Sequence, residues 1–267
     1  MKRISKEGFM LSFKWLSLMQ GKSNLKFFII YTLICTFVLW LYGLYYHYLL
    51  VRGDKDVASY FIFFYLQIVN FTFGIIIPYL AASSFIPATN RNSSSFVQAM
   101  PATESEKWWG NVAYAVLRCL VLGLGSLFLG DTLAHAFLEL QGKNDIGLLL
   151  SMLSSESFSY SFFLQVYNDT TLSSSATTIF VLDIIFYSLF IMACCLWGKL
   201  YFKRHGLLFG FLFGIFVGGA FNFFFMKISG SMGVDRYILS WFFYIIAAAA
   251  VFVMSRREFT KFNYTIV

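Results

Sequence analysis

Five ionisable side chains lie where this chain is otherwise apolar: Arg118, Asp131, His135, Glu139 and Asp183. Asp131, His135 and Glu139 recur at four-residue spacing, which places them on one helix face near its outer end. Asp183 enters from the start of the next apolar run. Carboxylates and imidazole in this arrangement are the types that ligate a metal or relay protons. Ionisable groups inside a membrane are costly and mark functional sites by default. Two helix ends at a wet interface account for the same residues more simply. Arg118 lies two to three turns into its run, so its side chain either snorkels to the cytoplasmic face or lines a translocation path. Asn222 is a second polar candidate for such a path.

Enzyme signatures are missing from the sequence. It has no H-E-x-x-H, no G-x-S-x-G and no paired Cys/His site, and His47, His135 and His205 are far apart. Cys35, Cys119, Cys194 and Cys195 all fall in apolar runs without zinc-site spacing and read as small core residues. No metal site and no catalytic residue are expected. A phosphate-cradling G-x-x-x-x-G-K-S/T loop is also lacking, so ATP hydrolysis, if it drives this protein, belongs to another subunit.

The elements that position these residues follow from composition. Of 267 residues, 59% are hydrophobic and 12% charged, about half the ~25% charged fraction of soluble domains. Several apolar runs reach the ~20 residues that cross a bilayer core as a helix. Strands of a membrane barrel would alternate apolar and polar, and these runs do not. The expected fold is an all-α membrane protein, one transmembrane domain over residues 1–267. Its six transmembrane helices fall near Phe27–Val51, Tyr60–Ile86, Val112–Leu138, Ala176–Leu200, Leu207–Met226 and Tyr237–Met254. No cleavable signal peptide is expected, because a long polar lead precedes the first apolar run.

Charge distribution orients the bundle. Lys2, Arg3, Lys6, Lys14, Lys22 and Lys26 share a side with Arg91, Lys107, Lys199, Lys203, Arg204, Arg256, Arg257 and Lys261. Only Arg52, Lys55, Lys143, Lys227 and Arg236 fall on the other. The positive-inside rule puts the first set, and both termini, in the cytoplasm. The net charge of +7 is thus membrane topology and not a nucleic-acid footprint. Residues 1–26 predict an amphipathic helix in the cytoplasmic interface, with Phe9, Met10, Phe13, Trp15, Leu16 and Leu18 against lipid. Residues 139–175 form the longest external segment, with a short helix near Gly147–Leu153 and a turn at Asn168–Thr171.

Residues 90–111 are the polar island of the chain. Pro101 disfavours helix at Met100. Thr103-Glu104-Ser105-Glu106 then fits a capping box, Thr103 being the N-cap and Glu106 reaching back to it. Two acids in the first turn suit the helix dipole. A helix over Ser93–Ala99, a proline break and a capped long helix make a rigid elbow. A well-capped interfacial turn anchored by Trp108 and Trp109 is the plainer reading.

The run Phe96-Val-Gln-Ala-Met-Pro-Ala-Thr-Glu-Ser-Glu-Lys-Trp-Trp resembles the cytoplasmic segment after the second span in ABC-2-type transporter permeases. The six-span layout with cytoplasmic termini and an amphipathic N-terminal helix is similar as well. The resemblance implies that Phe96, Met100, Pro101, Thr103, Glu104, Glu106 and Lys107 couple to an ABC ATP-binding subunit. It implies a homodimer or a heterodimer with a related permease, in the cytoplasmic (inner) membrane of a bacterium. ATP and Mg would sit on the partner ATPase, with no cofactor in this chain. One departure is the short connection Lys227–Arg236, where better-known members carry a large external element. An amphipathic or lipid-like cargo suits the aromatic walls, which suit lipid-facing surface equally. The alternatives are an ATP-independent ion-coupled transporter and a non-transporting membrane partner or immunity protein.

Gly206, Gly210, Gly214 and Gly218 recur every four residues, continued by Asn222. Small residues so spaced let another backbone approach closely, within the bundle or across a dimer. A glycine-lined substrate path is the sharper alternative. Pro78, with Gly74 one turn before it, predicts a kink in the second span.

Overall fold

A computed structural model describes residues 5–52, 68–85, 101–143, 175–202, 205–232 and 236–264. Every regular element among them is helical. We number them α1 (Lys6–Val51), α2 (Ile68–Ser83), α3 (Glu104–Leu140), α4 (Ser175–Phe202), α5 (Gly206–Met232) and α6 (Arg236–Tyr264). All but α2 contain a stretch long and apolar enough to cross a bilayer. The first part of the second predicted span, the helix at Ser93–Ala99 and most of the 139–175 segment lie outside the described residues.

One expectation changes at the N-terminus. The interfacial helix and the first span are a single unbroken helix of 46 residues. At 1.5 Å per residue it is ~69 Å long, over twice a hydrocarbon core. Nothing between Gly21 and Asn24 breaks it, because no proline is present and Gly21 lies in open space. Its buried column is Gly8, Ser12 and Leu16, whereas Met10 and Leu18 are exposed. The apolar stripe read from sequence is therefore split, with Leu16 and Phe13 packing inside the protein and Met10 and Leu18 left exposed.

Two helices contain π turns. In α2 the segment Thr72–Ile76 is π-helical and leads into Ile77–Ser83, with Pro78 in the first turn. Proline has no N–H and its ring crowds the carbonyl four residues back, here Gly74. A wider turn at that point accommodates both. In α3 the π segment is Cys119–Leu124. Buried positions recur there every four residues: Gly110, Tyr114, Arg118, Leu122, Ser126, Gly130, Ala134 and Leu138. With 3.6 residues per turn such a column drifts by about 40° at each step. The π turn takes up part of that drift. A Schellman stop closes α3: Gly142 adopts φ 73°, and Lys143 N donates to Leu138 O at 3.0 Å.

The helices group into two compact units. One holds Met1–Ser23, Phe73–Leu120 and Asp183–Val267. Two apolar clusters fill it. Phe85, Trp108, Ala115, Leu196, Leu200 and Phe259 form the first. Ala82, Phe190, Ile191, Cys194, Cys195 and Tyr244 form the second. The other unit holds Asn24–Thr72 and Val121–Leu182. There α1 crosses α3 at Gly130, where a Cβ would stand 2.6 Å from the Cβ of Cys35. Tyr31 and Thr72 share a hydroxyl hydrogen bond of 2.7 Å in the same unit.

Candidate functional site: the elbow at the start of α3

The capping box is present as the sequence predicts. Thr103 has extended backbone, its hydroxyl accepts from Glu106 N at 3.4 Å, and Glu106 Oε2 accepts from Thr103 N at 2.7 Å. The same carboxylate also serves α1. Ser5 is the residue before α1, and its hydroxyl accepts from Gly8 N at 3.1 Å. A capping box there would need a glutamate at the third helical position, which is Gly8. Glu106 fills that role from α3, accepting from Ser5 N at 2.5 Å. A Cβ on Gly8 would collide with the Glu106 carboxylate, so the absence of a side chain makes the room.

These bonds explain the electrostatics of Glu106. The third span read from sequence begins near Val112, so Glu106 lies ahead of it. The N–H groups of Ser5 and then Thr103 hold its carboxyl far below the usual range, at about 2, against a smaller opposing effect of burial.

Below this cap α1 and α3 run parallel and close. A Cβ on Gly110 would sit 2.8 Å from the Ser12 Cβ, and Phe13 packs edge-on against Tyr114. Trp108, fully buried, contacts Phe85, Phe252 and Phe259 with ring centroids 5.3 Å away in each case. Asn111 Nδ2 donates to Lys107 O at 2.8 Å. From α6, Arg256 Nη2 donates to Ser105 Oγ at 3.3 Å. The start of α3 is thus bonded to the N-terminal helix and to the C-terminal one.

Pro101 and Thr103 are exposed and Glu104 is half-buried. Glu106 and Lys107 are 3% and 7% exposed, so neither charge is presented to solvent within this chain. They lie on the packed face of α3, not on its outer face. Phe96 and Met100 lie outside the described residues.

Arg118 does not snorkel to water. It is 7% exposed, and its Nη1 donates to Ser83 Oγ at 2.7 Å, Leu80 O at 3.2 Å and Ser84 Oγ at 3.4 Å. A guanidinium there meets the last-turn serine hydroxyls and the negative end of the α2 dipole. Sequence reading missed Ser83 and Ser84, which look like ordinary small residues after an apolar run. Asn222 is half-buried on α5 and faces Tyr244 of α6. Arg118 and Asn222 thus serve different helix pairs.

The glycine stripe is consumed within the chain. A Cβ on Gly206 would strike the backbone of Gly198, and one on Gly210 the backbone of Cys194. Gly214 faces Ile191 and Cys194, and Gly218 faces Tyr187, so the whole stripe packs on α4. This settles the choice between bundle and dimer for these residues in favour of the bundle.

The ionisable face at the C-terminal end of α3 does not converge on one point. Asp131 is buried at 3%, His135 is partly exposed and Glu139 is exposed, with His135 Nδ1 and Glu139 Oε1 3.5 Å apart. Asp183 accepts from Ser240 Oγ at 3.3 Å. Among the described residues no group of three His, Cys, Asp or Glu could hold a metal ion.

Five long apolar helices among the described residues define the class: a multi-pass helical membrane protein. No protein family, curated protein or solved structure significantly matches the chain.

Proposed function

We propose that this chain is the membrane-spanning permease subunit of an ATP-driven, ABC-2-like exporter. It has six spans and cytoplasmic termini, works as a dimer in a bacterial cytoplasmic membrane, and moves an amphipathic or lipid-like substrate. Separate ATPase subunits supply the energy. The observation that carries this reading is the elbow, where Glu106 caps both α3 and α1 and Arg256 of α6 bonds to Ser105. A displacement applied at Pro101–Thr103 would move the ends of three helices together. Nucleotide state shifts the helices only if the ATPase binds the elbow differently in the two conformations. The glycine stripe is occupied by α4, so the dimer contact uses another surface.

Purification of the tagged chain from its native membrane tests the reading. A P-loop ATPase should co-elute, and the pair should show ATP-dependent flux in proteoliposomes. Gradient-driven flux from the chain alone would replace this proposal with the ion-coupled one, which the burial of Asp131 favours.

A further inference from the structure

A cavity of about 290 Å³ lies between α2, α3, α4 and α6, wholly inside the first unit. Its wall is apolar from Phe85 and Ala115 to Ala193 and Ala248, with Tyr244 the one lining residue that carries a polar group. Along α4 the lining runs from Phe186 to Leu196, ~15 Å of helix. That is half of a ~30 Å hydrocarbon core, the reach of one acyl chain in one leaflet. A slot of about 290 Å³ along this length has room for an aliphatic chain. Three lining residues, Val116, Leu189 and Ile245, are also 51%, 43% and 47% exposed. The slot is therefore continuous with the outer surface of the spans, where lipid tails are the surrounding solvent.

We propose that this slot holds one aliphatic chain of a membrane lipid, entering sideways between α3, α4 and α6. No charged residue lines the wall to hold a headgroup inside, so the headgroup stays at the bilayer surface. Small residues make the space: alanines at 115, 193 and 248 stand where larger side chains would close it. The inference rests on membrane insertion alone and does not depend on an ATPase partner.

The full chain, reconstituted in bilayers doped with a phospholipid carrying a mid-tail diazirine, tests it by photolabelling and peptide mapping. Adducts on Ala193, Ala248 and their neighbours should be several-fold denser than around Phe216, which is 77% exposed and samples bulk lipid. Ala248→Phe and Ala193→Phe fill the slot from two different helices. Whichever of them keeps the wild-type melting temperature should reduce the slot adducts to the Phe216 level. Slot adducts no denser than those at Phe216, or unchanged in a folded filling variant, overturn the proposal. An unlabelled, protected slot would mean that protein side chains occupy it, and would overturn it equally.

Discussion

The backbone N–H of Ser5 donates to the Glu106 carboxylate across 101 residues of sequence. One side chain thereby completes the N-terminal caps of two parallel helices. Each cap satisfies a donor that the helix itself leaves free. The two helix starts consequently cannot separate without both losing a partner.

Replacing Glu106 by Gln should loosen the N-terminal turn of α1 and the start of α3 together. Limited proteolysis after Lys6 should accelerate, and the melting temperature should fall. The pH dependence has a definite sign. The folded carboxyl titrates at about 2, below its ordinary 4.5. Its stabilisation is therefore full above about 4.5 and is lost as pH falls toward 2. Melting curves between neutral and acid pH should decline more steeply for wild type than for Glu106→Gln. Parallel declines would show that this carboxylate is not what senses acid.

Arg118 should behave as a structural cation. Arg118→Ala removes the charged donor that the buried Ser83 Oγ accepts from, at a cost of about 1–3 kcal/mol. Arg118→Lys keeps the charge without the planar fork and should fall between. Thermal unfolding in detergent ranks the three. A fully stable Arg118→Ala that had lost transport would instead place the residue on the substrate path.

The glycines of α5 should differ by what faces them. Gly206→Ala and Gly210→Ala drive a methyl into α4 backbone and should each destabilise by about 1–3 kcal/mol. Gly214→Ala meets only side-chain atoms and should cost less. Gly219 faces open space, so Gly219→Ala should be neutral or slightly stabilising. Equal effects at Gly210 and Gly219 would contradict the packing on α4.

Folding and coupling should separate at the elbow. Pro101→Asp alters an exposed position and should shift stability by no more than about 0.5 kcal/mol. It should nevertheless reduce retention of the co-purified ATPase. Glu106→Lys breaks both caps and should lower stability and retention together. Pull-down yield measured beside melting temperature separates the two, and full retention in Pro101→Asp would remove this face from the docking surface.

Features that depend on neighbours in sequence were legible without coordinates. Helical class follows from apolar runs in a solvent that cannot satisfy backbone groups. The Thr103–Glu106 box is local, spanning one turn, and its residue types suffice to specify it. Four-residue spacing likewise made Gly206–Gly218 a close-approach face.

Tertiary structure decided which groups those faces meet. Nothing at Gly8 signals that a glutamate about a hundred residues away completes its cap. Whether Arg118 reaches water or a helix end depends on where Ser83 and Ser84 lie, since a long flexible side chain has both within range. The partner of the glycine stripe was open for the same reason, because spacing defines a smooth face but not what lies on it. Glu106 and Lys107 look solvent-facing by charge alone, yet both are buried, Glu106 against the start of α1. Sequence patterns set each helix and its faces through short-range geometry, while long-range packing alone assigned those faces their partners.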